Sequence, residues 1–163
     1  MNQRVSISLT VNGETYDLFI PPSQLLLDTL RDELGLTGAK RCCIEGQCGA
    51  CTVLIDGKPI NACLYLTIEA QNKEIVTVEG LVQDGTPHPI QKAFVERGAV
   101  QCGFCTPGLI VATKALLEQN PNPTEDEIRI ALSGHLCRCG AYVQITEAVM
   151  AAIEEMAQKE LSV

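Results

Sequence analysis

The chain has 163 residues, enough for one domain or two small ones. Apolar residues make up 46 %, sufficient for a core, but aromatics are only 4 % and tryptophan is absent, so two small halves would need help from a metal, a disulfide or a partner. Twelve basic residues against twenty acidic ones leave a net charge of −8, which argues against a nucleic-acid backbone as partner and suits solubility and docking on basic surfaces. In chain order, Val5, Ile7, Leu9 and Val11 alternate with polar residues, Asn12-Gly13 offers a type I′ turn, and Tyr16, Leu18 and Ile20 resume the alternation. This predicts a hairpin. After Pro21-Pro22, Leu26, Leu27, Leu30 and Leu34 recur at helical spacing, with Gly35 as the stop. Thr52–Ile55 and Ile60 flank a turn at Asp56-Gly57, and Ile75, Val76 and Val78 make a last short strand. Residues 1–80 therefore read as a small mixed sheet gripping one helix.

Residues 81–88, with Gly85 and Pro87, read as a linker, and from residue 89 to 163 the period turns helical. Pro89 fits a first helical turn, with His88 as its cap and Ile90, Phe94 and Val95 on one face. Thr106 and Pro107 are placed as N-cap and first residue of a second helix running towards Asn120-Pro121. Thr124 and Glu127 form a capping box before Ile128, Ala131 and Leu132, and Gly134 is placed as the end of that third helix. Tyr142, Ile145, Val149, Ala152 and Met156 mark a fourth helix. The fold class is α+β: a sheet domain followed by a bundle of four short helices. The start of the chain lacks the apolar core of a signal peptide, and no run of 18 apolar residues is present. Nine cysteines in such a chain favour a reducing, cytoplasmic setting, where cysteine clusters are metal ligands more often than disulfides.

Eight of those cysteines form two tetrads. Cys43, Cys48 and Cys51 read C-x4-C-x2-C, and Cys63 follows after eleven residues. This is the plant-type ferredoxin spacing, in which four thiolates hold a 2Fe–2S cluster. Gly46, Gly49 and Ala50 let the backbone wrap closely and aim N–H groups at sulfur, and Lys40 and Arg41 add positive charge beside the loop. Zinc prefers paired C-x2-C knuckles, so the x4 gap fits it poorly. Cys42 would change the gap to x5 and is read as a buried bystander thiol. Cys102 and Cys105 read C-x2-C just before a helix N-terminus, and Cys137 and Cys139 read C-x-C between two helices. A helix N-terminus favours thiolate and the negative charge of a cluster, so these four make a second 2Fe–2S site. His135 is read as an ordinary loop hydrogen-bonder. Three function classes meet these residues: a relay inside a larger enzyme, a free ferredoxin-like carrier, and a zinc-binding interaction module.

Three segments carry a resemblance: CCIEGQCGACTVLIDGKPINAC (Cys42 to Cys63), QCGFCTPG (Gln101 to Gly108) and LCRCGAY (Leu136 to Tyr142). Together they resemble the small iron–sulfur subunit of the xanthine oxidase family of molybdenum hydroxylases, most like that of bacterial xanthine dehydrogenases, over about residues 3–155. The resemblance implies a ferredoxin-like β-grasp domain and a helical domain, each with one 2Fe–2S cluster held by the tetrads above. It implies a large subunit that binds molybdopterin, with Gln101 and Cys139 on the pterin side, and a medium subunit that binds FAD. It further implies a dimer of such heterotrimers and hydroxylation of a purine, N-heterocycle or aldehyde with oxygen from water. No catalytic residue is expected on this chain. The family's C-R-C-T-G-Y departs here to Cys137-Arg138-Cys139-Gly140-Ala141-Tyr142, which puts the backbone path after Cys139 in question.

Overall fold

The computed structural model describes residues 3–160; the ends of the expected outer segments, residues 1–2 and 161–163, lie outside the described residues. Strands β1 (Val5–Val11) and β2 (Glu14–Ile20) form the expected hairpin, Val5 opposite Ile20 and Val11 opposite Glu14. Asn12 at φ 54 and Gly13 at φ 80 adopt the paired left-handed conformations that a type I′ turn demands. β3 (Thr52–Ile55), β4 (Lys58–Asn61) and β5 (Glu74–Val76) complete one sheet in the order β2-β1-β5-β3-β4. β5 runs parallel to β1 and antiparallel to β3.

The leucine run after the hairpin packs on this sheet. Leu26, Leu27 and Leu30 are fully buried with Leu9, Val11, Ile20, Val53 and Ile75. It is only partly an α-helix. α1 (Leu26–Asp28) widens into a π-helical stretch, Thr29–Glu33, closed by Leu34 N–H donating to the Thr29 carbonyl. The Thr29 hydroxyl is buried against that of Thr67 at 2.8 Å, which fixes the segment at the point where it widens. The expected strand through Val78 stops at Val76, and Val78–Leu81 turns as a 3-10 helix.

Four helices follow: α2 (Pro89–Glu96), α3 (Thr106–Gln119), α4 (Glu125–Ala131) and α5 (Tyr142–Glu160). They surround a second core containing Ile90, Phe94, Leu109, Ile128, Ile145 and Val149. His88 caps α2, accepting from Ile90 N–H, and Thr124 with Glu127 forms the capping box of α4. Three readings are corrected. Val95 is 70 % exposed, because the buried face of α2 runs through Ile90, Ala93 and Phe94. α3 starts at Thr106 itself with Cys105 as cap residue, one position earlier than read. α4 ends at Ala131, capped by Leu132 rather than Gly134, since the chain must already turn there to carry His135 towards the sheet. A small third cluster, Leu54 of β3 with Val111 and Ala115 of α3, joins the two cores.

Candidate functional site

The loop between α1 and β3 carries Cys43, Cys48 and Cys51, and the 3-10 turn after β4 carries Cys63. Lys40 N–H donates to the Ala50 carbonyl at 2.9 Å and closes the loop's neck. Arg41 pairs with Asp28 and, at 3.0 Å, with Asp32, so its charge is committed to α1 and its π-helical extension instead of to the cysteines. Ile44 sits at φ 61, a costly conformation for a β-branched residue. It turns the chain so that N–H groups of Glu45, Cys48 and Gln47 reach the Cys43 sulfur. Led by Glu45, they pull this thiol down to about 6 against the opposing effect of burial. Burial pushes Cys51 up to about 12, with the neighbouring Cys63 sulfur adding to the rise.

The second set lies between helices. Cys105 sits at the entrance of α3, and burial pushes its thiol up to about 12, with the neighbouring sulfur of Cys137 adding to the rise. Cys102 and Cys139 are exposed, their sulfurs 3.4 Å apart. Cys137 is buried, and its N–H donates to the Tyr142 hydroxyl at 2.9 Å. Tyr142, placed by the sequence on the apolar stripe of the fourth helix, is 49 % exposed and braces this loop. Gly140, at φ 77, lies in the left-handed region, where a threonine would be strained. Ala141 behind it is 1 % exposed, in the helical core. The departure after Cys139 is thus a turn followed by a core contact.

Eight of the nine sulfurs neighbour one another in twos, Cys43 with Cys48, Cys51 with Cys63, Cys102 with Cys139 and Cys105 with Cys137, and Cys42 also neighbours Cys48. Among the described residues no group of three or more His, Cys, Asp or Glu side chains forms a site for a single metal ion. Two thiolates per iron, two irons per cluster, is the pattern a 2Fe–2S group takes, so the donor set fits that group. Thiols held protonated by burial would release protons on metal binding.

The two sites are locked together. Leu136 N–H donates to the Cys48 carbonyl at 3.0 Å. The Thr52 hydroxyl donates to the Gly49 carbonyl at 2.7 Å and meets His135 Nε2 at 3.0 Å. Burial lowers the His135 imidazole from its ordinary value, opposed by the Leu132 backbone. Gly108 of α3 abuts Gly49, so closely that a Cβ there would stand 2.2 Å from the Gly49 oxygen. A groove of about 720 Å³ runs between the sites, lined by Cys42, Cys48, Cys102, Phe104, Leu136 and Cys137 among others. This joint has no signal in the sequence, because no spacing rule relates residues 83 positions apart.

Residues 9–76 match the 2Fe-2S iron-sulfur cluster binding domain, and residues 77–150 match a second 2Fe-2S binding domain. The nicotinate dehydrogenase small FeS subunit of Eubacterium barkeri is 48 % identical over 154 residues, covering 94 % of this chain and 98 % of the relative. The xanthine dehydrogenase iron-sulfur-binding subunit of Escherichia coli O157:H7 is 46 % identical over 151 residues, covering 91 % and 94 %. The chain belongs to the iron–sulfur subunits of the xanthine oxidase family of molybdenum hydroxylases. As an oxidoreductase subunit of this family it carries iron–sulfur clusters and serves electron transfer. Among solved structures, quinoline 2-oxidoreductase from Pseudomonas putida 86 superposes with a TM-score of 0.91 at 42 % identity, covering 96 % of this chain and 98 % of that one. Among the described residues no helix is long and apolar enough to cross a membrane.

Proposed function

We propose that this chain is the relay of a cytoplasmic molybdenum hydroxylase, carrying electrons from molybdopterin on a large subunit to FAD on a medium subunit. Cys43 and Cys48 would hold one iron of the first cluster, Cys51 and Cys63 the other. Cys102 with Cys139, and Cys105 with Cys137, would hold the two irons of the second. When bound, each 2Fe–2S group takes up and gives out one electron at a time. Residues 1–80 and 89–163 would then be its two cluster domains, joined by 81–88.

The observation that carries this reading is the Leu136 N–H to Cys48 carbonyl hydrogen bond. It leaves a ligand of one site and the neighbour of a ligand of the other, Cys137, one hydrogen bond apart. The chain's own residues supply the rest of the function. Backbone N–H groups directed at sulfur stabilise added negative charge and raise the potential of the site they face. Buried Ala50, Thr52 and Gly108 exclude water from the joint. The exposed edge of the second site, with Gln101, Cys102 and Cys139, is the side we assign to molybdopterin. Relatives are named for nicotinate, xanthine and aldehyde oxidation, so an N-heterocycle or an aldehyde is the substrate class we infer, with a dimer of heterotrimers as the assembly.

Purification through a tag on this chain tests the proposal. Native mass spectrometry should show two larger partners, one with molybdopterin and one with FAD. Metal analysis should give about four irons per copy of this chain. Substrate should reduce two distinguishable paramagnetic centres. A lone chain passing electrons freely to unrelated acceptors, or zinc in place of iron, refutes it.

A further inference from the structure

The cluster reading, on which this inference rests, leaves one thiol over. Cys42 is exposed, unlike the buried bystander expected for a ninth cysteine. The Cys48 sulfur is a neighbour of both the Cys42 and the Cys43 thiols. Cys42 and Cys48 also both line the groove between the two sites. The position is held from behind: Arg41 is tied to Asp28 and Asp32, and the Lys40 N–H is tied to Ala50. Between Lys40 and Ala50 the chain forms neither helix nor strand, so a change of one residue in the loop breaks no ladder.

We propose that Cys42 is a reserve ligand of the first cluster, able to replace Cys43 on the iron it shares with Cys48. The exchange changes a C-x4-C spacing into C-x5-C. It is a ligand substitution without electron transfer: the Cys42 thiol gives its proton to water, and its sulfur forms the iron–sulfur bond at the position Cys43 no longer fills. Cys43 has first claim, because the N–H groups of Glu45, Cys48 and Gln47 converge on its sulfur. Cys42 takes over only when that sulfur is removed or chemically blocked.

Three variants in the assembled complex test this: Cys43→Ala, Cys42→Ala, and the two together. Iron and acid-labile sulfide per chain are measured after anaerobic purification, with low-temperature paramagnetic resonance of the reduced protein. Cys42→Ala should match the wild type. Cys43→Ala should keep about four irons, with the first cluster's signal shifted in g-values and the second unchanged. The double variant should fall to about two. If Cys43→Ala falls to about two irons with the second signal intact, or melts as low as the double variant, the reserve role is overturned. Iron missing from the wild type as well would instead overturn the cluster reading, and the reserve role with it.

Discussion

Replacing Gly108 with alanine should weaken the joint between the two halves. Alone on a helix, this change is favourable by about 1 kcal/mol, since alanine is the better helix former. Here the added methyl would stand 2.2 Å from the Gly49 carbonyl oxygen, 3.2 Å from its carbon and 3.3 Å from the Ala50 Cα. All three are backbone atoms, so no side chain can swing aside. Gly49 has no slack either: at φ 68, its own Cβ position lies 2.5 Å from the His135 ring and 2.7 Å from the Gly134 carbonyl. Relief requires α3 and the first cysteine loop to move apart by about 1 Å. Overpacking of this kind costs about 1–3 kcal/mol, at times more, and a backbone clash belongs at the upper end. After the helix-propensity gain, the net loss is about 1–2 kcal/mol, a fall of about 2–8 °C in melting temperature. Urea unfolding and calorimetry of the cluster-loaded protein measure it. A Gly108→Ala protein as stable as the wild type, or more so, would show that the two halves do not interlock here.

Three other outcomes follow from the same geometry. Thr52→Val keeps the shape but strips the hydroxyl from the Gly49 carbonyl and from His135 Nε2; leaving buried polar groups unpaired should cost about 1–3 kcal/mol by chemical denaturation. Leu136→Pro removes the N–H that reaches Cys48; freeze-quench resonance should then show the first cluster reduced later than in the wild type, with both signals still present. Thr124→Ala should lower the melting temperature at neutral pH. The Thr124 N–H, then its hydroxyl, hold the Glu127 carboxyl below its ordinary value, so this stabilisation is complete above the unfolded value of 4.5 and disappears as pH falls through the folded one. The gap between variant and wild type should therefore narrow under acid without vanishing, since the Thr124 hydroxyl also accepts from the Glu127 N–H at any pH; a gap that stays constant from pH 7 to pH 3 contradicts the charged capping box.

Local signals were legible in the chain, and among long-range ones only the cysteine sets were. Asn12-Gly13 and Asp56-Gly57 announce their hairpins because only residues tolerant of positive φ fit such turns. His88 and Thr124 announce helix starts through side chains that satisfy free N–H groups nearby. The C-x4-C-x2-C spacing announces its chemistry because one short loop must deliver three sulfurs. Cys102 and Cys139, 37 positions apart, are expected together because a C-x2-C and a C-x-C pair add up to one four-thiolate set, whereas the contact between Thr52 and His135 has no periodicity or motif to give it away. Tyr142 misleads for a related reason: it falls on an apolar helical stripe, yet tertiary context turns its hydroxyl outward to Cys137 N–H.

The joint also bears on how the clusters would be built. A cysteine loop without its metal relies on its own backbone contacts for shape, and in this chain several of those contacts belong to the other half. The carbonyls of Cys48 and Gly49 are held by Leu136 and Thr52, and Thr52 is in turn held by His135. Filling either site would therefore stiffen a wall of the other, and metal binding would become folding energy shared across the joint. This favours loading both sites over stopping at one. It also gives a physical reason for glycine at positions 49 and 108: a bulkier residue would move the two loops apart and lengthen the hydrogen bond from Leu136 to the Cys48 carbonyl.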